Sequence, residues 1–499
     1  MKITTKVEEK DLKILLKILL GMAVVLFVTL ICPIALQNDT LYDIVLGQKY
    51  CTQGMFTIDN YSIHEGLIYQ THHYFVCVIE YIIYHVLGFN GLHLLEVVLA
   101  VIIAGLFYKN NKYFIKSKFL AYCFLFVELL LMQNFIAVRA QMFSYIVFLI
   151  EILCINKFLD TNKKKYFITL CILPLILANF HSGVIFFYFI IILVYMLNIL
   201  RIKFLKINYD ERVTKSTLKY FILIIVIGSL LTLINPYGYK AITYGIKTLN
   251  DGFINNNISE FLPYNIKITG GLYIFIYMLF ITLTMVLTRK NIKLPVFLLS
   301  CGTILMTLIS RRHFSLFVIT SVVVLPYIED IYEYIKQKIY NIKFIKNKSI
   351  IRYVAYAIIA VLYFTYVIKA FFSFSIFEDY VSEYVYPIKS TEYIKSQLPK
   401  DARIFNDYGW GSYLMFNDVK VFIDSRADLY TDSYNKGITV AQDYIGAITC
   451  NKYYADIFKK YDIQYVLIKK NVQLAKMLLH DNNYKVIYQD NVSYLIKVL

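Results

Sequence analysis

The chain has 499 residues, 59% of them hydrophobic, against about 45–50% in an ordinary soluble domain. Its formal charge of +17 is broken up between apolar runs and forms no continuous basic stripe, which speaks against a nucleic-acid partner. The eight cysteines are scattered, mostly within apolar runs and without a CxxC pair, so neither a disulfide framework nor a zinc site is indicated.

Apolar runs of the length needed to cross about 30 Å of hydrocarbon recur along the first three quarters of the chain. They predict about eleven transmembrane helices, near 13–36, 91–108, 119–137, 142–158, 166–180, 183–200, 219–235, 271–288, 294–310, 314–330 and 352–373. The first has no cleavage site after it and reads as a retained anchor. The segment "HYFVCVIEYIIYHVLG" (73–88) is apolar but short, and carries Glu80 and His85; it reads as an amphipathic helix at the interface. Lys and Arg crowd alternate loops, at 2–10, 109–118, 163–165, 201–206, 289–293 and 336–348. Positive charge stays in the cytoplasm, so the N-terminus is expected inside and the last segment outside the plasma membrane.

Residues 374–499 change character. Strand-length runs at 420–424, 463–470 and 492–499 alternate with amphipathic stretches such as 471–482, which predicts a small extracytoplasmic α/β domain after a transmembrane domain of 1–373.

Sorted by side, the unusual polar residues gather on the outer face. The first outer loop (37–73) carries Asp39, Asp43, Asp59, His64, His72 and His73, and short turns supply Arg139, His181, Asn235, Glu260, Arg311 and Arg312. Charges at membrane depth pair with one another or line a polar cavity. Each has a plainer reading: an arginine reaching for head groups, a histidine hydrogen-bonded in a turn, Asp39 capping a helix. Their joint placement suits a cavity in which Arg139, Arg311 and Arg312, with His181, hold an anionic lipid phosphate beside a carboxylate base.

In order along the chain, Asp39 to Gly47, "DNYS" (59–62), Gly66 to His73, "RAQMFSY", "NFHSG", "INPYG", "ISEF", "RRHF" and "DYGWGSYL…VFIDSRADLY" resemble bacterial polytopic proteins related to GT-C glycosyltransferases. The resemblance implies a membrane transferase that takes a sugar from a polyprenyl-phosphate-linked donor on the outer face and passes it to a glycan or glycolipid acceptor. It implies an acid of the first outer loop as base or metal ligand: Asp39 first, with Asp43 and Asp59 as rivals. No cofactor is certain; a divalent metal is compatible with the pattern. Asp43 stands where relatives often have His, and the loop lacks their tryptophans, which leaves the base and the metal undecided.

The stretch around "DYGWGSYL" resembles the acceptor-binding motif of oligosaccharyltransferase catalytic subunits. On that reading Tyr408, Trp410 and Tyr413 stack on a sugar, Asp407 and Asp424 accept from its hydroxyls, and the end of a strand presents Asp424, Arg426 and Asp428 towards the cavity, Arg426 as a further acceptor-binding residue. The alternative is a packed Gly-Trp-Gly turn with a local Asp-Arg-Asp salt-bridge cluster. For the whole chain, the alternatives to a transferase are a transporter of lipid-linked saccharides and a non-catalytic scaffold of an envelope polysaccharide system.

Overall fold

The computed structural model describes residues 20–33, 36–267, 270–340 and 380–499. The expected span at 352–373 lies outside these residues, as does the beginning of the one at 13–36. The helices in chain order are α1 (Leu20–Ile31), α2 (Asn38–Gln53), α3 (Tyr74–Phe114), α4 (Lys118–Met132), α5 (Gln141–Thr161), α6 (Lys164–Phe180) and α7 (Ile185–Met196). They continue as α8 (Lys215–Leu231), α9 (Tyr239–Asn250), α10 (Gly252–Asn257), α11 (Gly271–Leu287), α12 (Leu294–Ile309), α13 (Phe314–Thr320) and α14 (Leu325–Tyr340).

Among the described residues, five helical stretches are long and apolar enough to cross a membrane: Tyr74–Phe114, Lys118–Phe135, Gln141–Thr161, Ser182–Leu200 and Arg311–Lys338. Three more apolar helices, Leu20–Ile31, Gly271–Leu287 and Leu294–Ile309, are shorter. The helix α3 joins two expected elements. Its backbone leaves helical geometry at Gly88 (φ 63°), a conformation open to glycine and costly for other residues, so 73–88 is helical but breaks from the rest there.

The C-terminal strands β3 (Ile404–Asn406), β4 (Tyr465–Lys469), β5 (Tyr484–Gln489) and β6 (Ser493–Val498) follow β1 (Ile207–Asn208) and β2 (Ile292–Lys293), a two-residue parallel pair between helices. The C-terminal sheet has the order β3-β4-β6-β5, parallel between β3 and β4 and antiparallel elsewhere. The inner strand β4 has a buried centre, Val466–Ile468, whereas the edge strand β5 has no fully buried residue. That contrast is what two-sided cover of an inner strand requires.

The expected strand at 420–424 is corrected. It joins no ladder of the sheet; only Val421 pairs, in a bridge to Ser62 of the first loop. The cause is Asn406, whose carboxamide oxygen accepts from the backbone N–H of Phe422 at 2.7 Å while its amide donates to the carbonyl of Ile423 at 2.8 Å. A side chain thus takes the backbone groups that a neighbouring strand would have used.

The first loop is not a free excursion. Leu41 and Ile44 of α2 share a buried cluster with Trp410, Leu414 and Val421, and Tyr42, Leu46 and Tyr50 share another with Phe405 and Phe422. At Gly47, α2 approaches α3 so closely that a Cβ would lie 2.0 Å from the carbonyl oxygen of Cys77. A buried ion triad completes the attachment. Arg426 donates through Nε and Nη2 to both oxygens of Asp424 (2.9 and 2.7 Å) and through Nη1 to Asp59 (2.7 Å). All three side chains are fully buried, and Tyr430 adds a 2.6 Å hydrogen bond to Asp424. Burial alone would push the Asp59 carboxyl up, but Arg426 and the hydrogen bonds from Ser62 hold it below the usual carboxylate range.

Removing one partner of a buried pair strands a charge and costs about 3–5 kcal/mol. Arg426→Met should therefore lower the thermal midpoint of the detergent-solubilised protein and speed proteolysis between residues 54 and 73. An unchanged midpoint and cleavage rate would show that the triad does not hold the first loop in place.

Candidate functional site

A cavity of about 540 Å³ opens where the first loop, the turns between helices and the C-terminal region meet. A smaller one of about 270 Å³ shares Gln37, Arg139, His181, Glu260 and Arg312 with it and adds Arg311 and Ser144. Ties between segments fix its walls. Thr40 Oγ1 donates to the carbonyl of Val138 (2.8 Å), and the backbone N–H of Ser182 to that of His72 (2.7 Å). The N–H groups of Arg311 and Arg312 donate to the carbonyls of Leu262 and Glu260, both at 3.2 Å. Side chains that stand more than two hundred residues apart in sequence are thereby brought onto one concave surface.

The expected residues fall into three groups. Asp39, Asp43, Arg139, His181, Arg312, Tyr408 and Arg426 line the main cavity, and Arg311 lines the adjoining one. Asp59 and Asp424 lie in the buried triad and belong to the architecture. Asp407 and Trp410 lie off both cavities. The Asp407 carboxylate accepts from the backbone N–H of Gly409 (2.9 Å) and pairs with Lys469 (2.9 Å). Trp410 is 1% exposed and donates its indole N–H to the carbonyl of Val385 (2.8 Å), so it has no free face for a sugar. The packed-turn and salt-bridge alternative thus describes Trp410, Asp407, Asp424 and most of Arg426, while Tyr408 reaches the cavity.

At the centre stands Arg139. Its Nη2 forms an ion pair with Asp39, and its Nη1 contacts Glu260 (2.8 Å) and Gln37 (3.0 Å). Arg139, expected to bind a phosphate, has its guanidinium engaged by two carboxylates. Burial raises the carboxyl of Asp39 and Arg139 only partly offsets it, while the side chain keeps 22% exposure towards the cavity. Glu260 shows the opposite balance: Arg139 holds it below the usual range.

Arg312 is different. It has no ion-pair partner among the described residues and lies 4.2 Å from the centre of the Phe261 ring. The Nε of Arg311 is buried without a hydrogen-bond partner among the described residues. Two guanidinium groups therefore remain open to an anion.

Histidines cover another wall. His72 stacks on Tyr244 at 4.5 Å and meets His73 edge-on at 4.2 Å, and His181 is hydrogen-bonded to Ser144 Oγ (2.6 Å). Asp43 is buried, with one oxygen contacted by His73 Nε2 (2.6 Å) and Cys77 Sγ (3.1 Å). These donor atoms of Asp43, His73 and Cys77 lie within 4.8 Å of one another, a set of the type that holds zinc. The sequence spacing hid this cluster, since one ligand comes from α2 and two from the start of α3. Glu260 was expected on the outer face and Asp428 towards the cavity, neither with an assigned role, and Tyr244 was not expected at all. Glu260 had a signal, an isolated acid in a short turn; Tyr244 had none.

No protein-family profile matches the chain, and no curated protein matches its sequence. Its structure is similar to the oligosaccharyltransferase of Archaeoglobus fulgidus. The apo form superposes with a TM-score of 0.54 at 11% identity, over 87% of this chain and 66% of that one. The form tethered to an acceptor peptide with an NVT sequon gives 0.58 at 10%, over 91% and 69%. The complex with Zn and sulfate gives 0.57 at 9%, over 90% and 68%. The chain thus spans about two thirds of the length of the enzyme it matches.

Asp428 offers a test of the cavity's electrostatics. Burial pushes its carboxyl up to about 6, against hydrogen bonding from Tyr244 and the charge of Arg426. A carboxyl raised in the folded state adds stability that is complete below about pH 4 and lost as pH rises through about 6, some 3 kcal/mol in all. Asp428→Asn should remove that component, so its thermal midpoint, relative to wild type, should rise between pH 4.5 and 7. Parallel midpoint curves for the two proteins would refute the assignment. The fold that surrounds this cavity is similar to that of the oligosaccharyltransferase.

Proposed function

We propose that the protein is a membrane glycosyltransferase that moves a sugar from a polyprenyl-phosphate-linked donor to a glycan or glycolipid acceptor. The observation that carries this reading is a cavity, in a fold similar to an oligosaccharyltransferase, with a partly exposed carboxylate at Asp39 beside Arg312, and an adjoining cavity with Arg311, two guanidinium groups without an ion-pair partner among the described residues. On this reading the cavity faces outward from the cell membrane, the N-terminus is cytoplasmic, and 374–499 forms an extracytoplasmic domain on a transmembrane domain of 1–373.

Asp39 removes the proton of the acceptor hydroxyl. The acceptor oxygen then attacks the anomeric carbon, the bond from that carbon to the lipid-phosphate oxygen breaks, and its electron pair leaves with the phosphate. A carboxyl raised by burial suits proton uptake, since a base works best when its pKa approaches the working pH. Arg311 and Arg312 meet the phosphate as its charge grows. Tyr408, which donates to the carbonyl of Ser425 (3.3 Å), offers its ring to the incoming sugar.

Membranes carrying wild type, Asp39→Asn or Arg312→Ala should be given a mixed polyprenyl-phosphate-sugar pool, with membranes lacking the protein as baseline. Asp39→Asn should reduce transfer by about 10²–10⁴ at equal protein level. Arg312→Ala should raise the donor concentration needed for half-maximal transfer. Asp43→Asn should retain the activity that Asp39→Asn loses. Transfer at baseline by wild type would remove the enzymatic reading and leave a binding role for the cavity.

A further inference from the structure

Asp39 reaches the cavity from α2 and Glu260 from the turn before α11, and the two carboxylates meet on a single cation, Arg139. Two acids from distant segments converging on one positive centre is the arrangement in which an oxygen-seeking divalent ion is normally held. The solved oligosaccharyltransferase of this fold includes a complex with Zn and sulfate. In this chain the position between the acids is filled by a side chain.

The surroundings hold that side chain there. Gln37 accepts a further hydrogen bond from Nη1 (3.0 Å), so the guanidinium has three oxygen partners, from Gln37, Asp39 and Glu260. Its backbone is anchored next door, where the carbonyl of Val138 accepts from Thr40. A divalent ion would have to expel Arg139 from both carboxylates and leave a guanidinium without its partners inside the cavity. It would also stand close to Arg312, a cation with no ion-pair partner among the described residues. Uncompensated charge in such a setting costs several kcal/mol. The site as built does not fit a metal ion.

We propose that Arg139 is a built-in cation that takes the place of a divalent metal between Asp39 and Glu260, so that the transfer needs no metal at this position. The inference deepens the glycosyltransferase reading and rests on it for the word transfer; the occupancy of the site does not. The guanidinium positions Asp39, keeps the two acids from repelling each other, and leaves Arg311 and Arg312 as the groups that meet the donor phosphate. The cluster of Asp43, His73 and Cys77 is a different set of donors, one helical turn along α2 from Asp39 and on the same face.

The test is Mn²⁺ binding to the full-length, chelator-stripped protein in detergent, followed by electron paramagnetic resonance. Wild type and Asp39→Asn should bind Mn²⁺ equally, since no Asp39-dependent site exists. Arg139→Ala should gain about one Mn²⁺ per chain, because Asp39 and Glu260 are then released, and Arg139→Ala/Asp39→Asn should lose it again. Arg139→Lys should gain none. One equivalent of Mn²⁺ on wild type that disappears in Asp39→Asn overturns the proposal, as does a folded Arg139→Ala that binds no extra Mn²⁺. Should Arg139→Ala fail to fold, the comparison of wild type with Asp39→Asn decides alone. Failure of the glycosyltransferase reading appears as absent sugar transfer and leaves the Mn²⁺ result intact.

Discussion

A charge withdrawn from water has to be matched where it stands, and two arginines do that work around the first loop. Arg426 matches Asp424 and Asp59 in a fully buried triad, and so joins the C-terminal region to the first loop. Arg139 matches Asp39 and Glu260, and so joins that loop to the turn before α11. The two differ in access. The triad is closed to solvent, and its cost of desolvation is met by a planar fork that bonds every oxygen it faces. The pair at Arg139 opens on the cavity, where its acids keep part of their surface and can respond to a ligand. One device thus serves architecture in one place and the site in the other, and burial decides which.

Much of this was legible in the sequence. Long apolar runs separated by lysines and arginines identify a polytopic chain, because crossing hydrocarbon sets a minimum length and leaves little freedom. The polar residues that line the cavity were also recognisable as a group, since a charge amid apolar sequence needs a reason. What failed was the assignment of roles. Arg139, Arg311 and Arg312 look alike along the chain, yet one is neutralised and the others are not, because the decision depends on Asp39 and Glu260 arriving from elsewhere. Asp39, Asp43 and Asp59 likewise share one loop and end with three different sets of partners: an arginine of another turn, His73 just before α3 with Cys77 on it, and an arginine of the C-terminal region.

The stretch "DYGWGSYL…VFIDSRADLY" makes the same point about local patterns. Its alternating apolar residues at 420–424 predict a strand, and Val421 does pair, with Ser62 of the first loop. The side chain of Asn406 nevertheless meets its backbone groups, so no ladder forms. Trp410, the only tryptophan, has the ring expected of a sugar platform, but its indole N–H is used by Val385 and its faces by the core. Gly411 explains the fit. A Cβ there would lie 2.2 Å from the carbonyl oxygen of Ile423, so the turn after Trp410 packs directly on the segment that carries Asp424 and Arg426. Gly411, expected only to allow a tight turn, is there for close approach.

That packing has a consequence for the site. Ser425, Tyr408 and Asp428 border the cavity that Asp39 lines, all from the segments that the turn and the triad hold together. The first loop supplies the carboxylate and the C-terminal region supplies the wall opposite it. Neither half encloses the cavity alone, so a residue such as Arg426 affects the site by deciding whether the two halves meet. The helices carry a third requirement, because Arg311, Arg312 and His181 stand at their ends and keep their positions only while the turns between them remain tied. The cavity is therefore a property of three parts of the chain in register, and its chemistry depends on buried charges that each part cannot satisfy by itself.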